Sequence, residues 1–169
     1  MAFFTWVQET GIATFVRESP SFFGYPFFLT VHTLGLSVIV GVSTVVGVRL
    51  LGVASPIPVA PLARLFPIMW LGFAINTISG AGLWAADAVN KSVPGDARQA
   101  PVFLTKMLFV LLAVACVWAL QKRFREPSVA EGGELRDGKV LAAAMLIFWF
   151  LAMIAGRLIA YSEPILTRL

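Results

Sequence analysis

The chain has 169 residues, 59% hydrophobic and only 13% charged, with a formal net charge of +4 and a mean hydropathy of +0.86. Soluble domains carry about a quarter charged residues, and a chain this small must still cover its surface with polar groups, so a water-soluble globular domain is excluded. The basic residues flank apolar runs and form no stripe interleaved with aromatics, which excludes a nucleic-acid partner and makes the positive balance a record of membrane orientation.

The first twenty residues lack the basic start of a signal peptide. Phe4, Val7, Gly11 and Phe15 recur at helical spacing with Gln8, Glu9, Arg17 and Glu18 largely elsewhere. This spacing predicts one amphipathic helix over 1–20, lying along the membrane interface. A frayed leader is the alternative.

Residues 21–169 form a domain with four apolar segments, about 25–51, 65–88, 102–121 and 140–161. Each reaches the roughly 20 residues needed to cross a bilayer. Pro20 and Pro26 precede the first, and Arg49 with the Ser55-Pro56-Ile57-Pro58 turn closes it. The second runs from Pro61 and Arg64 to Asp87, the third from Pro101 to Gln121-Lys122-Arg123, and the fourth follows Asp137-Gly138-Lys139. The predicted fold class is an all-α integral membrane four-helix bundle with an N-terminal interfacial helix.

An even number of spans puts both termini on one side. The side holding the 52–64 and 122–139 loops has Arg49, Arg64, Lys122, Arg123, Arg125, Arg136 and Lys139, whereas the terminal side has Arg17, Lys91, Arg98 and Arg168, plus Lys106 and Arg157 at the membrane edge. Positive charge is retained in the cytoplasm. The expectation is therefore a multi-pass bacterial inner (cytoplasmic) membrane protein with both termini periplasmic, and a solvated cytoplasmic connector over 122–139.

His32 is the chain's sole histidine and lies about seven residues inside the first span, roughly 10 Å of helix rise. Lys106, five residues past Pro101, Arg157, four before Tyr161, and Asp87, closing the second span, fall at similar depth in the outer third. At helical spacing His32 shares a face with Tyr25, Phe28, Gly35 and Ile39; Asp87 with Trp84, Gly80 and Asn76; Arg157 with Met153, Phe150 and Tyr161. If these faces converge they form an outward-facing pocket between helices, where bundles hold ligands. Ionisable groups inside a membrane mark ion, proton or ligand sites. The structural alternatives stay open: Lys106 and Arg157 can snorkel to headgroups, Asp87 can be merely interfacial, and His32 can bond a carbonyl, a hydroxyl or Asn76.

Small residues at Ser37-x-x-x-Gly41, Ser43-x-x-x-Gly47, Gly72-x-x-x-Asn76-x-x-x-Gly80 and Ala152-x-x-x-Gly156 permit close helix approach. Trp70, Trp84 and Trp118 suit interface belts, and Trp149 mid-bilayer packing. The lone Cys116 forms no intrachain disulfide, and the chain has neither a metal-ligand cluster, a second histidine for bis-histidine haem, nor a phosphate-binding glycine loop. His32 is thus a metal ligand only if haem is bound, alone, across a symmetric dimer or beside a methionine such as Met153. Lys106 and Arg157 would then hold the propionates; the same arrangement suits a quinone headgroup.

Val31-His32-Thr33-Leu34-Gly35-Leu36, Ser79-Gly80-Ala81-Gly82-Leu83 leading to Asp87, Phe103-Leu104-Thr105-Lys106 and Gly156-Arg157-Leu158-Ile159-Ala160-Tyr161 together resemble a group of small, uncharacterised four-helix bacterial inner-membrane proteins. That resemblance covers nearly the whole chain and implies the architecture, with no activity to carry over. The glycine-rich second span followed by Phe-x-x-Lys is also similar to the membrane domain of copper-resistance protein D and to four-helix cytochromes. The chain departs from both in lacking their further histidines or methionine-rich motifs.

The residues thus predict a small polytopic inner-membrane subunit or binding module with an outward-facing pocket around His32, and no enzymatic turnover by this chain alone. The bilayer is the first partner, with other membrane or periplasmic subunits or a second copy as further ones. The alternatives are a redox subunit holding haem b or quinone, and a proton- or ion-coupled transporter element using His32 and Asp87.

Overall fold

The computed structural model of the chain describes residues 2–53, 56–93, 99–126, 135 and 138–166, with side chains described up to Ile159. The helices are α1 (Ala2–Gln8), α2 (Gly11–Glu18), α3 (Tyr25–Leu50), α4 (Phe66–Ala85), α5 (Ala88–Ser92), α6 (Gln99–Phe124) and α7 (Gly138–Leu166). A 3-10 helix, Ala60–Leu65, leads into α4. No strand occurs among the described residues.

Four segments are long and apolar enough to cross a membrane: Tyr25–Leu50, Ala60–Ala85, Gln99–Phe124 and Gly138–Ile159. These match the expected spans, with ends shifted by a few residues. Proline marks the starts of three elements, Pro26 in α3, and Pro61 in the 3-10 helix and Pro67 in α4 within a single span, where its missing N–H is no loss. Exposed hydroxyls on the spans bond back into their own helices, Thr30 to Pro26 O, Thr33 to Leu29 O, Ser37 to Thr33 O and Thr44 to Val40 O. Such internal bonding would suit a surface facing lipid, since hydrocarbon offers polar groups no partner.

Packing is uneven around the bundle. Helix α3 runs antiparallel along α4, α6 along α7, and α3 touches α7, whereas the α4 and α6 backbones scarcely approach one another. Side chains close that fourth edge toward the Leu50 end: Phe66 meets Phe124 edge-on at 5.2 Å, and Trp70 Nε1 donates to Gln121 Oε1 at 2.8 Å. At the opposite end α5 bridges to α6. Between these closures a seam separates α4 from α6.

Packing is also uneven along the bundle. Ile39, Val46, Phe66, Met69, Leu120, Met145 and Trp149 fill the Leu50 half. In the Tyr25 half, the buried described positions of the four long helices are Gly35, Ser79, Ala100, Ala152 and Ala155. Small residues there let backbones approach but fill little space.

The N-terminal segment differs from the single helix expected. Helix α1 ends at Gln8, and Thr10 turns the chain by bonding Val7 O through Oγ1 at 2.7 Å before α2 begins. The Phe4, Val7, Gly11, Phe15 register cannot continue through that turn, and it is Ala13 and Val16 that are buried. The hairpin is fixed to the α4–α5 connection by Gln8 Oε1 accepting from Val89 N at 3.0 Å and Arg17 Nη1 donating to Ala86 O at 3.3 Å. Phe4 meets Trp84 edge-on at 6.3 Å. Phe3, Trp6, Ile12, Phe15, Phe22 and Phe23 remain exposed.

Candidate functional site

Glycines determine how closely α3 and α4 meet. A methyl group at Gly35 would stand 2.8 Å from Asn76 N and 3.0 Å from Gly72 O, so the two backbones are in direct contact. That proximity carries a reciprocal clasp. Asn76 Nδ2 donates to the His32 carbonyl at 2.7 Å, and His32 Nδ1 lies 2.9 Å from the Asn76 carbonyl. A carbonyl only accepts, so Nδ1 carries the proton. Ser79 Oγ, 3.4 Å from Nδ1, is itself committed as a donor to Ile75 O at 2.7 Å.

This fixes the other ring nitrogen. In a neutral imidazole with Nδ1 protonated, Nε2 is an acceptor with a free lone pair, and it has no hydrogen-bond partner among the described residues. The ring is held against α4 at Gly80, where a methyl would stand 2.9 Å from Cε1.

Lys106 shares the inward face of α6 with Ala113, Val117 and Leu120. Its alkyl chain crosses Gly156 of α7, where a methyl would stand 3.5 Å from Cε and 3.7 Å from Nζ. Neither a carboxylate nor a carbonyl partners its ammonium among the described residues. Lys106 and Lys91 are both within electrostatic reach of His32 and of each other. The site is therefore one imidazole acceptor and two ammonium groups in the half of the bundle lined by small residues.

Asp87 stands at the edge of this group, as the carboxylate beside Lys91. It breaks the helix at φ −145° and ψ 43°, accepts from Asn90 Nδ2 at 2.7 Å, and lies 3.8 Å from Lys91 Nζ. Lys91 also donates to Leu83 O at 2.8 Å. Trp84 is half-buried beside the site and donates to Ser92 Oγ at 2.7 Å. Arg157 follows Gly156 by one residue, and that single step turns its side chain to the exposed surface. The side chain of Tyr161 lies outside the described residues. Of the expected residues, the structure joins His32 to Asn76 by hydrogen bonds and sets Lys106 within electrostatic reach of the ring, with Asp87 beside Lys91 and Trp84 at the margin.

No family model, curated protein or solved structure matches the chain. The chemistry of the site therefore rests on its own geometry.

Spacing did not single out Lys91 as a site residue, and it marked Gly80 and Gly156 as packing positions only. Burial pushes the Lys91 ammonium below the usual lysine range, opposed in part by the Asp87 carboxylate. The unfolded chain then binds that proton more tightly than the folded one. Folding stability should rise with pH from the lowered folded value up to about 10.4, the ordinary lysine value. Denaturation in a graded detergent series at several alkaline pH values would show this slope, and Lys91→Met should flatten it. An unchanged slope in the variant would refute the assignment.

Proposed function

We propose that this chain is a small multi-pass subunit or binding module of the bacterial inner membrane, with both termini periplasmic and its ligand site at His32. One observation carries the reading. The Nδ1 proton of His32 is committed to the Asn76 carbonyl, leaving Nε2 as an acceptor without a partner among the described residues, in a ring within electrostatic reach of Lys106 and Lys91. Such a combination is costly in a bilayer unless a ligand answers it. The partners that fit are the bilayer itself and other membrane or periplasmic subunits or a second copy.

A redox subunit is the second reading, favoured by the same nitrogen. A histidine whose Nδ1–H bonds a backbone carbonyl presents Nε2 as a metal ligand or as an acceptor for a quinol hydroxyl. Haem b would be ligated by His32, with Lys106 on a propionate; a quinone would use the same two groups.

The test is purification in mild detergent followed by mass spectrometry of retained small molecules and an absorption spectrum. A molecule held by the wild type and lost in His32→Ala is the expected result. A Soret band that disappears in His32→Ala identifies haem. Identical retained molecules in both proteins would refute the site.

A further inference from the structure

We infer that the His32 site takes the headgroup of an anionic phospholipid carrying a free hydroxyl, a phosphatidylglycerol-type lipid, entering from the bilayer through the seam between α4 and α6. This deepens the ligand-binding reading of the site and rests on it.

Charge sets the class of ligand. Lys91 and Lys106 bring two ammonium groups to the small-residue half, and Asp87 is the one described carboxylate associated with them, lying 3.8 Å from Lys91. Glu18, on the N-terminal hairpin, is bonded to Arg17 at 2.9 Å. Lys106 is left without a counterion among the described residues. A phosphate oxygen supplies that counterion.

The acceptor narrows the choice. His32 Nε2 requires a donor, which a phosphodiester oxygen is not and a neighbouring hydroxyl is. A zwitterionic choline headgroup would add a cation beside two ammoniums and offer no hydroxyl. The glycerol head provides an anionic oxygen and a hydroxyl a few bonds apart.

The route comes from the packing. The α4 and α6 backbones scarcely touch, their bridging contacts of Phe66 with Phe124 and Trp70 with Gln121 lie toward the Leu50 end, and α5 spans to α6 at the other. An edge where two apolar helices pack through side chains alone would admit acyl chains alongside while the headgroup reaches inward. Lys106 and His32 lie on the inward faces of α6 and α3, with Gly35 and Ile39 marking the latter. At the Tyr25 end the N-terminal hairpin is tied to α5 by Gln8 and to the end of α4 by Arg17.

The full chain in nanodiscs or mixed micelles would be titrated with phosphatidylglycerol, phosphatidylcholine, phosphatidylmethanol and soluble glycerol phosphate, following retention by native mass spectrometry. Phosphatidylglycerol should be retained at least tenfold over phosphatidylcholine and about fivefold over phosphatidylmethanol, which has the charge but no hydroxyl. Lys106→Gln should abolish the first preference and Lys106→Arg preserve it, with helicity and elution volume confirming that both variants fold. His32→Ala should abolish the second preference and leave the first.

Equal retention of phosphatidylglycerol and phosphatidylcholine would overturn the proposal. So would glycerol phosphate competing at equal concentration, which would make the ligand a soluble anion. If the lipids are retained equally while His32→Ala still loses another bound molecule, the lipid assignment fails and the site survives. If no variant alters any bound molecule, both fail.

Discussion

Gly35→Val should separate α3 from α4, lowering the detergent-denaturation midpoint more than other single substitutions on the α3 face. At Gly35 the neighbours of a new Cβ are backbone atoms, Asn76 N at 2.8 Å, Gly72 O at 3.0 Å and Asn76 Cα at 3.1 Å. Flexible side chains can rotate away from an intruder, as Leu146 can at Gly47; a helix backbone can only translate. Overpacking typically costs about 1–3 kcal/mol, and the rigid neighbour puts this case at the upper end. Moving α4 outward also pulls the Asn76 amide off the His32 carbonyl and the Asn76 carbonyl off Nδ1. Each membrane hydrogen bond of this kind contributes about 0.6–2 kcal/mol. Gly41→Val is the matched control, because nothing lies within 4 Å of that position. Equal midpoints for the two variants would show that the close approach contributes nothing to stability.

Gly80→Val should weaken ligand retention more than tenfold without removing any polar group of the site, by displacing the His32 ring. A Cβ at position 80 meets His32 Cε1 at 2.9 Å and Nδ1 at 3.1 Å, so the imidazole must turn away from the Asn76 carbonyl. Losing that bond releases the tautomer and sends the proton to either nitrogen. Retention should fall more than tenfold, about 1.4 kcal/mol or more. Nitrogen-15 magnetic resonance reads the cause directly, because the chain contains one histidine and the ring signals come from one side chain. The wild type should show a protonated Nδ1 and an unprotonated Nε2, and the variant a tautomer mixture. A variant with the wild-type nitrogen pattern and full retention would show that Gly80 does not position the ring.

The spans and the His32–Asn76 pairing were legible in the sequence because hydropathy and depth are properties of a single helix. Counting residues puts His32 well inside its span and Asn76 near the middle of the next, and an apolar setting forces polar groups to find one another, which made Asn76 one of the partners open to His32. The failures are matters of phase and of breaks. Arg157 has the expected depth, but it is one residue past Gly156, and about 100° of helix rotation takes it from interior to surface. The Ser37 and Gly41 pair has the spacing of a packing motif yet is exposed, whereas Ser43 and Gly47 are buried. Spacing defines a face without saying which way it points. Lys91 joined the site through the break at Asp87, which has no hydropathy signal. Thr10 divided the N-terminal helix by a local side-chain bond that a periodicity count does not weigh.

The two kinds of uneven packing combine into a mechanical property. With large side chains interlocked around the Phe66–Phe124 contact and small ones opposite, the bulk that ties α4 to α6 sits at one end of the bundle, and α5 makes the bridge at the other. Substitutions in α5 would therefore act mainly on the spacing of the helices at the Lys106 end.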